Sequence, residues 1–135
     1  MSFSAETAVR IHENLATAVL LFDKDLHLLS INSAGESLLS VSSKQVFGMT
    51  PKQIWPESSF FYKTIKRSLT SGSTCAERSV DMYLNNQRKI KVDCMITPIL
   101  VGEVAEEILV ELVDANAFAR VMEEVNQKTV QEAAK

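Results

Sequence analysis

Between Leu20 and Leu39 the chain reads LLFDKDLHLLSINSAGESLL, two apolar runs split by Asp23-Lys24-Asp25. The second run goes straight into Asn32-Ser33-Ala34, and few folds accept that arrangement. Asp23-Lys24-Asp25 makes a tight polar turn, so Leu26 to Ile31 returns as a second strand beside Ala18 to Phe22. The first of these strands is apolar on both sides, as a central, doubly covered strand would be. Asn32 or Ser33 can accept hydrogen bonds from free helix amides as an N-cap, and Glu36 favours the first turn through the helix dipole. The hairpin ends where the cap begins. Ala34, Leu38 and Val41 then form the expected buried stripe of a short helix.

The rest of the chain follows the same punctuation. Upstream, Glu6 to Ala16 carries Ala8, Ile11 and Leu15 at helical spacing beside Val9, with Ser4 as a possible N-cap. Ser42 to Gly48 reads as a helical turn with Val46 and Phe47 facing in, stopped by glycine. Pro51 can open another turn containing Ile54 and Trp55, closed by Pro56. Ser58 or Ser59 caps a longer helix in which Phe61, Ile65 and Leu69 recur, and Gly72 ends it. Cys75 to Leu84 alternates, with Ala76, Val80, Met82 and Leu84 on one side, and Asn85-Asn86 supplies a turn. Lys89 to Ile99 alternates most cleanly, setting Ile90, Val92, Cys94 and Ile96 on one face. Gly102-Glu103 marks a loop before a strand over Glu107 to Val113. Phe118 to Lys135 reads as a polar helix whose apolar positions Phe118, Met122 and Val125 fade toward its end, too sparse to fold alone. The expected fold class is α+β: a five-stranded antiparallel sheet with helices on one face and a helix at either end.

Composition narrows the function. The chain has 135 residues, enough for one domain with a real core. Its formal net charge is −3 and no basic patch occurs, so nucleic acid is not an expected partner. No apolar run is long enough to span a bilayer. The two cysteines, Cys75 and Cys94, are too few for a disulfide framework or zinc site, and reduced thiols in a cytoplasm are expected. No Gly-rich phosphate loop, G-x-S-x-G or H-E-x-x-H occurs, and Glu36, Asp93 and Glu111 have no visible acid–base partner. Catalysis by this chain is not expected.

The order of elements and three motifs resemble the PAS domain. N-L-x-x-A-V-L-L-F-D stands at Asn14 to Asp23, I-N-S-A-x-E-x-L-L at Ile31 to Leu39, and V-D-C-x-I-T-P at Val92 to Pro98. Over Ile11 to Asp114 the sequence resembles, more narrowly, the sensory PAS domain of NtrB-type nitrogen-regulation sensor histidine kinases. The resemblance implies 17–114 as the PAS domain and 115–135 as a signalling helix toward a kinase core, while residues 1–16, with their apolar stripe, are expected as a dimerisation helix. KTVQEAAK at its end is similar to the segment before that family's H-E-x-x-x-P box, which would follow Lys135. The family implies a homodimer, a PII-type signalling protein as input and an NtrC-type response regulator as output. Many PAS domains end in Asp-x-Thr where the last strand meets this helix; the matching signal junction here is Asp114 and Asn116, with Asn in place of Thr.

Candidate sites follow from both readings. Ala8, Val9, Ile11 and Leu15, with Phe118, Met122 and Val125, are the candidate dimer interface, because their stripes are costly to leave wet. Leu21, Ile31, Leu39, Ile54, Ile65, Ile96 and Val110 could line a ligand pocket between sheet and helices, although a solid core needs the same residues. Neither His12 nor His27 has a second ligand nearby, so no metal or cofactor is expected. The rival function is a small-molecule or cofactor-binding PAS sensor module of another signalling protein. A small enzyme on a cone-shaped α+β fold is a weaker third option.

Overall fold

Asp23 makes the opening turn. Its Oδ1 accepts from the amides of Asp25 and His27, each at 2.9 Å, and Leu26 takes a left-handed φ of 67° inside that loop. The computed structural model of the chain describes residues 17–84, 88–116, 122–123 and 125–126. Strands β1 (Ala18–Asp23) and β2 (Leu28–Ile31) form the hairpin. Four helices follow: α1 (Ser33–Leu39), α2 (Ser43–Val46), α3 (Pro51–Ile54) and α4 (Ser59–Ser71). Strands β3 (Cys75–Tyr83), β4 (Lys89–Val101) and β5 (Val104–Asp114) complete a five-stranded antiparallel sheet in the order β2-β1-β5-β4-β3. The expected helices at either end of the chain, and the Asn85-Asn86 turn, lie almost wholly outside the described residues.

One sheet face and the helices enclose the core. Leu20 and Phe22 of β1, Val92 and Ile96 of β4, and Val110 and Leu112 of β5 are fully buried beneath Phe61 and Ile65 of α4. Burying each such side chain contributes about 1.5–3 kcal/mol. Helix α4 begins at Ser58, whose hydroxyl accepts from the Phe60 amide at 3.3 Å, and ends at Gly72, which supplies a left-handed φ of 70°. Its buried Ser68 donates to the Ser73 carbonyl, so no polar group is stranded there.

Three sequence expectations are corrected. The buried face of α1 is Gly35 and Leu39, with Ala34, Leu38 and Val41 only half-buried. A Cβ at Gly35 would stand 2.6 Å from Ile31 Cγ1, so the helix meets the end of β2 at a position with no side chain. Phe47 does not face in: it is 68% exposed, while Val46 is buried. It follows the helical turn at φ −55° and ψ 130°, an extended conformation that swings it out of the helical stripe. In β3 a bulge between Glu77 and Val80 breaks the alternation. Ser79 there takes a φ of 54° and donates its amide to Asp93 at 2.9 Å. The extra residue sets Ala76 opposite Met95, on the face away from the core, while Cys75, Val80 and Met82 pack inward.

Candidate functional site: a small cavity beside Trp55

Helix α3 is a single turn held by its flanks. Pro51 opens it, and Thr50 and Gln53 cap it, the Thr50 amide donating to Gln53 Oε1 at 3.0 Å. Trp55 ends it, donating its backbone N–H to the Pro51 carbonyl. The indole ring stacks on Phe61 with centroids 4.4 Å apart and an interplanar angle of 23°, and tilts against Phe22 at 6.5 Å. Trp55 is 2% exposed, yet its Nε1 has no hydrogen-bond partner among the described residues. An orphaned buried donor costs about 1–3 kcal/mol, so the position calls for an acceptor that the described side chains do not supply.

A cavity of about 70 Å³ lies beside the Trp55 side chain, and its lining includes Leu39, Ile54, Leu84, Gln45 and Gln53. Helix α2 repeats the capping logic: Ser42 Oγ accepts from the Gln45 amide at 3.3 Å and Gln45 Oε1 accepts from the Ser42 amide at 3.4 Å. Both glutamines therefore spend their oxygen on a helix start. What each has left is its Nε2 group, a donor. Val41, Val46, Met49 and Tyr83, the last 41% exposed, also line the cavity.

The predicted pocket residues divide. Leu39 and Ile54 line the cavity. Ile65, Ile96 and Val110 have no exposed surface and belong to the solid core. Ile31 lies outside it, in an open recess beside β2 with Leu29, Lys44 and Phe47. Leu21 alternates out of phase with buried Leu20 and Phe22 and opposes Leu109, on the face of the sheet away from the helices. Trp55, Gln45 and Gln53 were not among the expected site residues, although Ser42-x-x-Gln45 and Thr50-x-x-Gln53 both carry the capping-box signature.

Of the predicted interface, Ala8, Val9, Ile11, Leu15 and Phe118 lie outside the described residues. Met122 is half-buried, and Val125 is covered within the single chain, so Met122 is the described member with surface to offer. At the expected signal junction Asp114 Oδ1 accepts from the Asn116 amide at 2.9 Å. The Ala115 amide donates to the Lys91 carbonyl, also at 2.9 Å, tying the end of β5 to β4.

Other reactive groups have structural uses. Glu36 accepts from the Ser43 amide at 2.9 Å, joining α1 to α2. His27 is exposed, with Nδ1 3.7 Å from Asp23 Oδ1. The Lys66 ammonium hydrogen-bonds the Tyr62 hydroxyl and, with Lys52 over the ring, holds its ionisation below the usual phenol range. No group of three or more His, Cys, Asp or Glu among the described residues could hold a metal ion. Nor is any described helix long and apolar enough to cross a membrane. Burial pushes the Cys94 thiol up, whereas Cys75 is half-exposed. A maleimide should therefore label Cys75 in the folded protein and reach Cys94 roughly a hundredfold more slowly, through unfolding. Mass spectrometry of timed digests checks this; equal rates would mean that the β4 face is open to solvent.

No family model matches the chain. Over 125 residues, 93% of the chain, it is 27% identical to the sensory histidine kinase/phosphatase NtrB of Vibrio alginolyticus, and it spans 35% of that protein's length. Among solved structures it is similar to the PAS domain of nitrogen regulation protein NR(II) from Vibrio parahaemolyticus, with a TM-score of 0.63 and 25% identity. That match covers 83% of this chain and 99% of the other. A sensory box sensor histidine kinase from Vibrio cholerae matches with a TM-score of 0.63 at 17% identity, over 79% of this chain and 87% of that one, a likeness of fold. The chain has the PAS-domain fold, and its sequence is similar to that of the sensory PAS domain of an NtrB histidine kinase.

Proposed function

We propose that the chain is a non-catalytic regulatory module that dimerises and passes a conformational state to the kinase core of an NtrB-like protein. The observation that carries this reading is the similarity to NtrB over 93% of the chain. In it, residues 1–16 form a dimerisation helix, 17–114 the sensory domain and 115–135 the segment leading to the kinase. The tie from Ala115 to Lys91 supports a mechanical role, because a backbone hydrogen bond couples the exit from β5 to β4. For the whole protein we assign a cytoplasmic location, a PII-type signalling protein as input and an NtrC-type response regulator as output.

Dimerisation is the sharp test. Sedimentation of the wild-type chain at high micromolar concentration should give a dimer. Replacing Val9 and Ile11 together by Glu should give a monomer with an unchanged circular dichroism spectrum, since the sheet core is untouched. A wild-type monomer, or a variant that stays dimeric, would refute assembly through the N-terminal helix. Labelled ATP, with the chain alone or with an intact NtrB-type kinase core, should leave this chain unlabelled.

A further inference from the structure

We infer that the tip of the β4–β5 hairpin is a docking surface for a basic amphipathic helix of a partner protein. The inference goes beyond signal transmission and rests neither on the kinase reading nor on dimerisation. Topology is the first observation. The pairing of β3 with β4 ends at Cys75 opposite Ile96, and that of β1 with β5 ends at Asp23 opposite Glu107. Strands β4 and β5 run on together past both ends, Leu100 opposite Ala105 and Val101 opposite Val104. They turn at Gly102-Glu103, where Gly102 supplies a φ of 67°. The tip is thus a two-stranded finger standing beyond the five-stranded part of the sheet.

The second observation is what the finger exposes. Of the eight large hydrophobic side chains left exposed among the described residues, four lie within it: Ile99, Leu100, Val101 and Val104. Val101 is 66% exposed and Val104 59%. Strand alternation sets Ile99 and Val101 on one side of the pleat, and Val104, opposite Val101, joins them there. Apolar side chains gathered on a protruding element are costly to leave wet and mark a place where another molecule packs. A short row of this kind matches the apolar stripe of a helix.

Charge then selects the occupant. Glu103 sits in the turn, and Glu106 is the extra residue where the register passes from Ile99–Glu107 to Leu100–Ala105. Glu107 stands opposite both Ile99 and Asp23. The adjacent turn, Asp23-Lys24-Asp25, is itself net negative, and no Lys or Arg occurs between Lys91 and Arg120. A cationic surface is complementary to this collar, whereas nucleic acid, an anionic membrane or a second copy of the tip meets like charge. Neither end of the chain supplies the cations. Residues 1–16 hold two acids and one Arg, and residues 117–135 balance three acids with three bases. The helix that fits therefore comes from another protein.

The probe is a synthetic helix with leucine on one face and lysine on the other, titrated into the labelled chain and followed by nuclear magnetic resonance. The Gly102 amide and the Val101 and Val104 methyl signals should shift saturably, and raising the salt should weaken binding roughly tenfold. The same helix with glutamate in place of lysine should leave them unmoved. Val101→Ser together with Val104→Ser spares the sheet core, and affinity read on the Gly102 amide should fall roughly tenfold. Should that variant fail to fold, Glu103→Lys with Glu106→Lys decides: it should lose the lysine helix and take up the glutamate helix. The proposal is overturned by tip signals that do not saturate, by the glutamate helix acting as the lysine helix does, or by unchanged binding in the deciding variant. It is overturned equally if the tip signals move with chain concentration alone, which assigns the surface to a second copy, or if phosphatidylcholine vesicles broaden them, which assigns it to a membrane.

Discussion

Replacing Phe61 by Ala should lower folding stability by about 4 kcal/mol, roughly a quarter or more of the 5–15 kcal/mol typical of native proteins. Phe61 has no exposed surface. It stacks on Trp55 at 4.4 Å and meets Phe60 edge-on at 5.3 Å. Truncation removes the transfer energy of a whole ring and leaves a cavity that Trp55, pinned at the end of α3, cannot fill. Thermal unfolding should begin roughly 10–15 °C lower, and urea titration should give the same loss. Phe61→Leu, which keeps most of the volume, should cost clearly less. A loss below about 1 kcal/mol for Phe61→Ala would mean that the helix layer is not what seals the core.

How much of this was legible beforehand depends on where one looks. The alternation of Lys89 to Ile99 placed Val92, Cys94 and Ile96 on the buried face, where they stand, because a regular strand repeats every two residues. Helix α4 could be read from both ends, through Ser58 and Gly72. The reading failed where one residue changes the phase. The bulge at Ser79 inserts a residue and turns Ala76 outward, and nothing in an alternating pattern announces an insertion. Gly35 was passed over because apolar stripes are counted by side chains, and its role is to have none. For the site, the two capping glutamines carried a readable signature. The orphaned indole did not: whether a buried N–H finds an acceptor depends on residues far apart in sequence, and Trp55 can be read as core from sequence in either case.

Asn32→Ala should destabilise the chain by about 2–3 kcal/mol, more than the loss of an ordinary helix cap. One side chain does three things. Asn32 Oδ1 accepts from the Gly35 amide at 2.8 Å, which caps α1, and from the Val19 amide at 2.9 Å, which belongs to β1. Its Nδ2 donates to the Thr17 carbonyl at 2.9 Å. The residue that starts the helix thus also closes the open end of the hairpin, so β2 can pass into α1 with no loop between them. Alanine leaves two amides and a carbonyl to find water or go unpaired. Asn32→Asp separates the roles, since it keeps both acceptor contacts, gains from the helix dipole and loses only the donor to Thr17. It should therefore cost about 1 kcal/mol or less. Ser33→Ala is the control for the other cap candidate and should be near neutral, because the observed cap is Asn32. Urea unfolding of the three variants gives the ranking, and hydrogen exchange at the Val19 and Gly35 amides should speed up in Asn32→Ala alone. If Asn32→Ala and Ser33→Ala prove equally mild, the passage from hairpin to helix is held by the packing of Gly35 against Ile31 instead.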